Sequence, residues 1–466
     1  MLKTVKARLR PIASQINLPT VIKTTTLPND HVERLFIATQ VGEILYTGTN
    51  GLETFLDIRS RIIQLGMNGG YDERGLLGLA FHPDFTNNGL LYGYYSMAGT
   101  QGPGALPHSF MANPCLPQSF NLQWENRERN FDHIDTVEEW IINGTIPQKR
   151  RTLLNLRRPF FNHNGVNSLN FSPETGHLVL TTGDGGSGYD PFNLAQNDLE
   201  IAGKIIEIDL QRLPFDPSPP VVTRFDELPP ATREALFVTV KGVRNISGIS
   251  YQRMNNRWIK YIGQVGQNLV ESIYSYDQST MLSVREIIQN PHSTSSLINL
   301  GWRGWEGDLP TFNIQPCNNQ PSRTQKMVTF YEDVLNMVTQ RISPLAAYYH
   351  DDPRPNHFSG TAITGVKAYL GLQIPALTGK IIFTDFARKL TRTPVRGILG
   401  YTEPLKRNTQ NKVGIIDIGN PFGTQAAYYT TLGTNRNQTR LFLGTYSTLN
   451  VTAFHQGQIY EVIQNE

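Results

Sequence analysis

The first candidate for chemistry in this sequence is a histidine in a short polar segment. Histidine suits proton transfer near neutral pH because its ordinary pKa is about 6.5. Of the 10 histidines in the chain, His163 lies in the segment FNHNG, just before a run with strand character. A loop side chain at such a position could act as a general base facing a binding site. It could equally be a surface or capping residue, so the residue alone leaves both roles open.

A second candidate is the acidic turn GDGGSGYDP, which contains Asp184 and Asp190. Their spacing suggests a loop that could hold a cation. The alternative, which is favoured, is that Asp-Gly turns simply need residues that tolerate a positive φ angle. The two cysteines, Cys115 and Cys317, are too few for a disulfide framework or a thiolate metal site, and a single bridge between them stays open.

The composition is typical of a folded, loop-rich protein. The chain has 466 residues, of which 40 are Gly and 29 are Pro, and 10% are aromatic; disorder and coiled coil are excluded. The 42 basic and 39 acidic residues give a net charge of +3, which is too small to indicate binding to a phosphate backbone. We therefore expect no nucleic-acid partner.

No run of about 18 consecutive apolar residues occurs, and the mean hydropathy is −0.32, so we expect a soluble chain without a membrane span. The N-terminal residues are basic but lack the apolar run of a secretory signal. We therefore predict a surface arm over residues 1–25 and no signal peptide. Compartment and oligomeric state stay open, with an extracellular or surface-associated location among the options.

Short runs with strand character recur along the chain, among them LLYGYYSM, KIIEIDL, WIKYIGQVG and RLFLGTY. Helical periodicity is rare, and the best helical candidates are DTVEEWII and ATREALFV. A long chain of short antiparallel strands must avoid exposed sheet edges, and radial repetition of four-stranded blades does so at this size. The pattern predicts an all-β propeller as one domain over residues 26–466, with a large β-sandwich array as the alternative.

One segment breaks the rhythm of strands and turns. Residues 98–133 show no alternation and concentrate Gly, Pro and Asn. They predict a long loop insertion at the surface, which could line a binding site.

Longer stretches match a known family in order. They are ERGLLGLAFHPDFTNNGLLYGYYS, FNHNGVNSLNFSPETGHLVLTTGDGGSGYDP, AGKIIEIDL, KGVRNISGISY, IGQVGQNLVES, NLGWRGWEG and ITGVKAYLGLQIPALTGKIIFTDF. These stretches resemble the soluble quinoprotein sugar dehydrogenases, also called the glucose and sorbosone dehydrogenase family, and the resemblance runs from about residue 33 to 462, nearly the whole chain. It implies a six-bladed β-propeller.

The resemblance also implies a reaction. In active relatives, pyrroloquinoline quinone (PQQ) lies on an end face of the propeller, Ca²⁺ polarises its carbonyl, and a histidine takes the proton from a sugar hydroxyl. His163 matches that catalytic histidine. Arg244 and Asn245 match an Arg-Asn pair in which the guanidinium contacts the quinone and stabilises its developing charge. Glu73 matches a position that contacts cofactor or substrate, and a salt bridge to Arg74 or Arg244 is its alternative role.

For the metal, the resemblance implies backbone oxygens from Gly266 and Gln267 and a carboxylate ligand from Glu271. Oxygen ligands of this kind suit Ca²⁺. The three carboxylates of PQQ need cationic partners, and Lys367 and Arg388 are the candidates that the chain offers.

The chain departs from the family pattern at three positions. Leu370 stands where active relatives usually have Arg, Val166 replaces the second Gly of a pair, and Ser272 replaces a second carboxylate. Two functions therefore stay open: a PQQ- and Ca²⁺-dependent oxidoreductase acting on a sugar hydroxyl or aldehyde hydrate, and a catalytically silent propeller that binds carbohydrate or protein or serves in surface assembly. A metal-dependent hydrolase is disfavoured, because no carboxylate cluster with two-metal spacing stands out.

Overall fold

The computed structural model describes residues 3–67, 69–99, 102–107, 110, 122–142, 144, 146–277, 280–311, 341–350, 357–390, 393–405 and 409–465. Cys115 and Cys317 lie outside these residues, and so does the question of a bridge between them. Within the described part of the chain, no helix is both long and apolar enough to cross a membrane.

Short strands dominate the described residues. In chain order they are β1 (Thr4–Ile16), β2 (Pro19–Thr26), β3 (Glu33–Thr39), β4 (Glu43–Gly48), β5 (Gly51–Asp57), β6 (Leu76–Phe81), β7 (Leu90–Ser96), β8 (His133–Ile142), β9 (Pro147–Arg158), β10 (Leu169–Phe171), β11 (Leu178–Thr181), β12 (Lys204–Ile208), β13 (Val221–Val222), β14 (Leu236–Lys241), β15 (Ile246–Met254), β16 (Arg257–Gln264), β17 (Val270–Tyr276), β18 (Leu282–Ser283), β19 (Ile298–Asn299), β20 (Trp305–Glu306), β21 (Leu309–Pro310), β22 (Ala346–Tyr349), β23 (Ile363–Ala368), β24 (Ile381–Asp385), β25 (Ile398–Thr402), β26 (Gly414–Asp417), β27 (Tyr428–Thr434), β28 (Leu441–Tyr446) and β29 (Gly457–Gln464). The α-helices are short: α1 (Phe85–Asn88), α2 (Pro230–Ala235) and α3 (Val284–Gln289). The 3₁₀ turns span Arg59–Arg61, Phe225–Glu227, Pro291–Ser296 and Pro375–Leu377. The all-β prediction is confirmed.

The strands form mainly antiparallel sheets in a propeller-like arrangement. Two sheets have four strands each, in the orders β2-β3-β4-β5 and β15-β16-β17-β22. A third runs β6-β7-β8-β9-β13, and a fourth runs β10-β11-β12-β14-β18 with β19 also on β14. The largest runs β23-β24-β25-β26-β1-β29-β28-β27, and β20 pairs with β21. The edge strands β2, β6, β10, β15, β23 and β27 lie beside one another around a central channel.

The N-terminal residues, predicted as a surface arm, contribute strands to two sheets. Within 1–25, β1 pairs in parallel with β26 from Thr4 to Lys6 and antiparallel with β29 from Ala7 onward, while β2 pairs with β3. The apolar side chains of Val5, Ala7 and Leu9 pack on one core cluster. These apolar residues alternate with basic ones at the two-residue period of a strand. The high charge of the segment makes this pattern hard to recognise in the sequence.

The helix predicted for DTVEEWII is wrong. These residues belong to β8, which lies between β7 and β9 in a five-stranded sheet. Its two glutamates look like helix formers but instead accept hydrogen bonds from tyrosines of β7: Tyr95 Oη lies 2.7 Å from Glu138 and Tyr92 Oη 2.9 Å from Glu139. Cross-strand partners therefore override local propensity. The other candidate, ATREALFV, is helical only to Ala235, where α2 ends, and then enters β14.

The described part of the predicted insertion, residues 98–133, contains no strand before His133. This segment packs against the propeller. The Trp124 side chain is buried and stacks on Phe192, with ring centroids 6.0 Å apart, and Phe192 stacks in turn on Phe160 at 5.7 Å. Aromatic packing therefore attaches this segment to the loops at one face.

Candidate functional site

A cavity of about 310 Å³ opens at one end of the central channel, in the size range of small-molecule sites. Its polar walls come from loops that lead into edge strands: Glu73 precedes β6, His163 precedes β10, and Arg244 with Asn245 precedes β15. Edge strands that enter the channel from the same end bring these loops together. The structure thus gathers the four residues predicted for base, quinone contact and substrate contact.

The backbone of His163 is held in an unusual conformation. Its φ angle is +59°, which is rare for a residue other than Gly. The His163 N–H donates to Glu73 Oε2 at 2.8 Å, and its carbonyl accepts from Arg158 Nη2 at 3.0 Å. Gly183 makes room for this loop, because a Cβ there would lie 1.7 Å from the His163 carbonyl oxygen. Contacts from three sides therefore position the residue.

The imidazole of His163 is held in one tautomer. Its Nδ1 lies 2.8 Å from Asp184 Oδ1, and its Nε2 lies 3.1 Å from Arg244 Nη2. Because a guanidinium only donates, Nε2 must accept and Nδ1 must carry the hydrogen. Asp184 also accepts from the Trp302 indole at 2.7 Å and from the Gly186 N–H at 2.9 Å. The pair therefore has the arrangement of a base and its orienting carboxylate.

Arg244 is fixed on the cavity wall beside this base. Its guanidinium donates to Val265 O at 3.2 Å and to Gln267 Oε1 at 3.0 Å, and it lies 5.4 Å from the Trp302 ring centroid. The guanidinium therefore keeps its position even when a ligand displaces its contact with His163. A fixed positive charge at this place can stabilise negative charge on a bound oxygen.

Glu73 connects the rim of the cavity to the base. Its Oε1 accepts from the Tyr71 hydroxyl at 2.7 Å, while Oε2 holds the His163 N–H. The alternative salt bridges are not formed among the described contacts: Arg74 pairs instead with Asp72 at 2.8 Å. Glu73 therefore positions His163 through its backbone.

Two polar atoms of the cavity wall lack partners. Asn245 Oδ1 and Ser247 Oγ are buried and make no hydrogen bond to any described residue. Buried polar atoms are normally paired, so a ligand with hydrogen-bonding groups would complete them. Of the departures from the family pattern, Val166 lines this cavity, whereas Leu370 and Ser272 do not.

The predicted metal ligands are only partly gathered at the cavity. Gly266 and Gln267 line the cavity, but the buried carboxylate of Glu271 is already occupied. It accepts from the Gly266 N–H at 3.0 Å, His350 Nε2 at 2.5 Å and the Ile363 N–H at 2.8 Å. No group of three or more His, Cys, Asp or Glu side chains in the described ranges is placed to hold a metal. Glu271, on β17, therefore links the loop at Gly266 to His350 and to β23.

The predicted cofactor clamps lie elsewhere. Lys367 is on β23 but does not line the cavity, and Arg388 lines a separate pocket together with Arg396. Arg244 is the one Lys or Arg among the described lining residues. Of the three basic side chains considered for the cofactor, the structure therefore places only Arg244 at this cavity.

The acidic turn supports the favoured of its two interpretations. Asp190 accepts from the Leu194 and Ala195 N–H groups, both at 2.9 Å, and Asp184 is taken by His163 and Trp302. Burial and the nearby Asp184 raise the pKa of Asp190 to about 7. The two carboxylates therefore have hydrogen-bonding roles in the turn and at the base.

Sequence reasoning missed the partners of the two central side chains. Asp184 was considered for a cation site and not as the partner of His163, and Trp302 and Gln267 were not linked to the base or to Arg244. The available signal was that Trp302 lies in NLGWRGWEG and Asp184 in the GDG turn, both within matching stretches. Only the folded structure shows which of these side chains are in contact.

Two known proteins are similar to this chain in sequence. Over 377 residues the chain is 26% identical to the HIPL1 protein of Arabidopsis thaliana, covering 76% of this chain and 50% of that protein. Over 190 residues it is 30% identical to Hedgehog-interacting protein of Homo sapiens, covering 39% of this chain and 23% of that protein. The chain thus spans half or less of the length of these relatives.

Solved structures share the fold. The PQQ-bound aldose sugar dehydrogenase of Streptomyces coelicolor superposes with a TM-score of 0.56 at 14% identity, covering 99% of each chain. The apo-form soluble aldose sugar dehydrogenase of Escherichia coli gives 0.58 at 14% identity, covering 99% of this chain and 100% of that one. The family described as Glucose / Sorbosone dehydrogenase matches residues 20–275, more than half of the chain. With the matching stretches and the propeller-like arrangement, this shows that the chain belongs to the glucose/sorbosone dehydrogenase family.

Proposed function

We propose that this chain is a quinone-dependent dehydrogenase that oxidises a hydroxyl group of a sugar-like substrate in the central cavity. The carrying observation is the His163 ring: Nδ1 is tied to Asp184 while Nε2 accepts at the cavity wall beside Arg244. A positioned base with a fixed tautomer has a catalytic use that a purely structural histidine does not need.

In this proposal a substrate hydroxyl displaces Arg244 Nη2 from His163 Nε2 and gives its proton to that nitrogen. Asp184 then stabilises the imidazolium, since its carboxylate already faces Nδ1. The substrate carbon loses a hydride and becomes a carbonyl carbon. Arg244, held by Val265 and Gln267, stabilises charge on the oxygens around it.

PQQ, when bound, would accept the hydride. Asn245 Oδ1 could accept a hydrogen bond from such a molecule, Ser247 Oγ could donate one to its oxygens, and Arg244 supplies a positive charge. These three side chains would hold it. Of the residues that the resemblance implies for Ca²⁺, Gly266 and Gln267 line the cavity, whereas the oxygens of Glu271 accept from the Gly266 and Ile363 N–H groups. No step is assigned to a metal.

The proposal includes six blades. The edge strands β2, β6, β10, β15, β23 and β27 would each begin one blade. The eight-stranded sheet would then hold two blades of four strands, joined where β1 pairs with β26. Supporting this count, each of the six groups has three further strands paired in succession.

The test is a titration of the purified protein with PQQ, with and without Ca²⁺, followed by absorbance and thermal melting. Ligand at about 100 times its dissociation constant should add about 2.7 kcal/mol to the stability of the native state. Sugars should then reduce a redox dye, and His163→Ala should lower that rate by about 10² to 10⁴-fold without loss of PQQ binding. His31→Ala, an exposed histidine, is the matched control. A melt unchanged by saturating PQQ contradicts the proposal.

A second candidate function is binding without turnover. It is favoured by the single cation, Arg244, that the described lining offers to a cofactor with three carboxylates. A human relative is named Hedgehog-interacting protein, so a protein partner belongs to this candidate beside a carbohydrate. Stabilisation by a sugar in the absence of any response to PQQ would favour it over the dehydrogenase.

A further inference from the structure

A continuous set of buried charged side chains connects the segments that hold the base. Its members come from the loop before β6, from β8 with the residue before it, and from the end of β9. This set, the buried charge chain, consists of Asp72, Arg74, Asp132, His133, Asp135 and Arg158, each at most 6% exposed.

One end of the buried charge chain lies beside Glu73. Arg74 donates to the two oxygens of Asp72 at 2.9 and 2.8 Å and to Asp132 Oδ1 at 3.1 Å. Asp72 and Arg74 flank Glu73 in the sequence, and Glu73 accepts the His163 N–H at 2.8 Å. This end therefore fixes the backbone that carries the acceptor of the His163 N–H.

The other end of the buried charge chain is Arg158. Its guanidinium donates to the His163 carbonyl at 3.0 Å, to Asn164 Oδ1 at 3.1 Å and to the Gly183 carbonyl at 3.3 Å. Its Nε also lies 3.5 Å from Asp135 Oδ2. The N–H and the carbonyl of His163 are thus held at opposite ends of one set of charges.

His133 joins the two ends. Its ring is fully buried, with Nδ1 2.8 Å from Asp132 Oδ1 and Nε2 3.2 Å from Asp135 Oδ1. A neutral imidazole carries a hydrogen on one nitrogen only, so a ring with a carboxylate oxygen at each nitrogen is held as an imidazolium. Burial opposes this charge, but Asp135 and Asp132 raise the pKa of His133 overall.

The proton on His133 balances the charges of the set. With it, the three cations Arg74, His133 and Arg158 face the three carboxylates. From β7, Tyr94 and Ser96 donate to Asp135 at 2.7 Å each and bring no charge, since burial raises the pKa of Tyr94. Loss of the proton would leave a buried carboxylate uncompensated, which is costly.

We infer that His133 is a positioning residue for the base: its proton holds the buried charge chain together and thereby fixes the His163 backbone on both sides. The effect on turnover rests on the proposed function, whereas the effect on the His163 loop does not. Among the described contacts of Asp135, a neutral His133 leaves Arg158 as the one charged partner. The guanidinium would then be drawn toward that carboxylate and away from the His163 carbonyl.

The test compares His133→Gln, which removes the charge, with His177→Gln. His177 is a matched control, because its ring also lies near two carboxylates, 3.2 Å from Glu207 and 3.8 Å from Asp209, outside the buried charge chain. Hydrogen–deuterium exchange at pH 7, without quinone, measures the opening of segments 71–75 and 159–167. Both segments should exchange about tenfold faster in His133→Gln than in the wild type, while β28 and the His177→Gln protein keep wild-type rates.

A second readout is kinetic. On the PQQ-loaded protein, His133→Gln should lower kcat by about 10²-fold, the effect of a misplaced reacting group, with KM and the affinity for PQQ unchanged. If the wild type shows no dehydrogenase activity, the proposed function fails and the exchange experiment still decides the role of His133. Wild-type exchange of 159–167 in folded His133→Gln, or equal acceleration in every segment, overturns the inference.

If His133→Gln fails to fold, a pH series on the wild type decides the question. The raised pKa of His133 means that its contribution is complete at low pH and is lost as the pH rises through the folded value. Protection of 159–167, corrected for intrinsic exchange, should therefore fall relative to that of β28 between pH 6 and pH 10. A constant ratio over this range overturns the inference.

Discussion

Replacing Asp184 with Asn tests whether the orienting carboxylate serves the base. Asp184 accepts three hydrogen bonds, from His163 Nδ1, Trp302 Nε1 and the Gly186 N–H, at 2.7–2.9 Å. An amide keeps one acceptor oxygen and gains two donor hydrogens. If its oxygen stays toward His163, its NH₂ faces the Trp302 donor. If it turns, His163 must change tautomer and present Nε2–H to the Arg244 donor.

Either arrangement leaves at least one pair of buried donors opposed. Losing a hydrogen bond to a charged group costs about 1.5–3 kcal/mol, so Asp184→Asn should lower the free energy of unfolding by that amount. Loss of the imidazolium partner should lower the rate of dye reduction by about 10² to 10⁴-fold. The assays are thermal melting and steady-state kinetics on the PQQ-loaded protein.

Asp190→Asn is the matched control, because Asp190 lies in the same turn and its carboxylate accepts only from Leu194 and Ala195 among the described hydrogen bonds. Its rate should stay within about threefold of the wild type, although its stability changes. The reasoning is refuted if folded Asp184→Asn keeps the wild-type rate. It is equally refuted if both variants lose the same activity.

Three further predictions concern carboxylates around the cavity. Glu73→Ala leaves the buried His163 N–H unpaired, so this variant should lose about 1–3 kcal/mol of folding stability and should turn over more slowly. Glu73→Gln keeps an acceptor for that N–H and should lose less. If thermal melts and rates do not distinguish the two variants, the positioning role of Glu73 is refuted. Burial opposes the charge of His350, but the contact with Glu271 raises the pKa of His350 overall. This pair therefore stabilises the fold fully at low pH and less as the pH rises through the pKa that His350 has in the folded protein. Glu271→Gln should lose more stability at pH 6 than at pH 8, and the reverse would contradict the pairing. Burial and Glu271 raise the pKa of Asp385 to about 7, so this group makes the wild-type stability fall as the pH rises from about 4 to 7. Asp385→Asn should reduce that slope in denaturant titrations and should melt higher than the wild type at pH 8, and an unchanged slope would contradict the prediction.

Local patterns predicted the strands better than they predicted the contacts of the site. The hairpin β28–β29 is visible from alternation and turn residues alone, because both signals lie within a few positions. The partnership of His163 and Asp184 joins two loops 21 positions apart, and that of Arg244 and His163 joins loops 81 positions apart. Only the order of the sheets around the channel decides such distances.

The predicted role of Glu271 shows a different limit. The Glu271 carboxylate would look the same in sequence whether it faced a metal or an N–H group. Here the donors are Gly266, five positions away, and Ile363, 92 positions away. Ile363 lies on a different sheet, so no local sequence pattern could distinguish a metal-ligating carboxylate from one that accepts structural hydrogen bonds.

The position of β1 has a consequence for how the chain reaches its native state. Ala7 is paired with Gln464, so β1 completes its pairing only when residues 457–464 are present. Until residues 457–464 arrive, β26 and β29 cannot both be covered by β1, and unpaired strand edges invite pairing with other chains. Closure of the ring of sheets therefore depends on pairing between β1 and β29, two strands that lie far apart in the sequence.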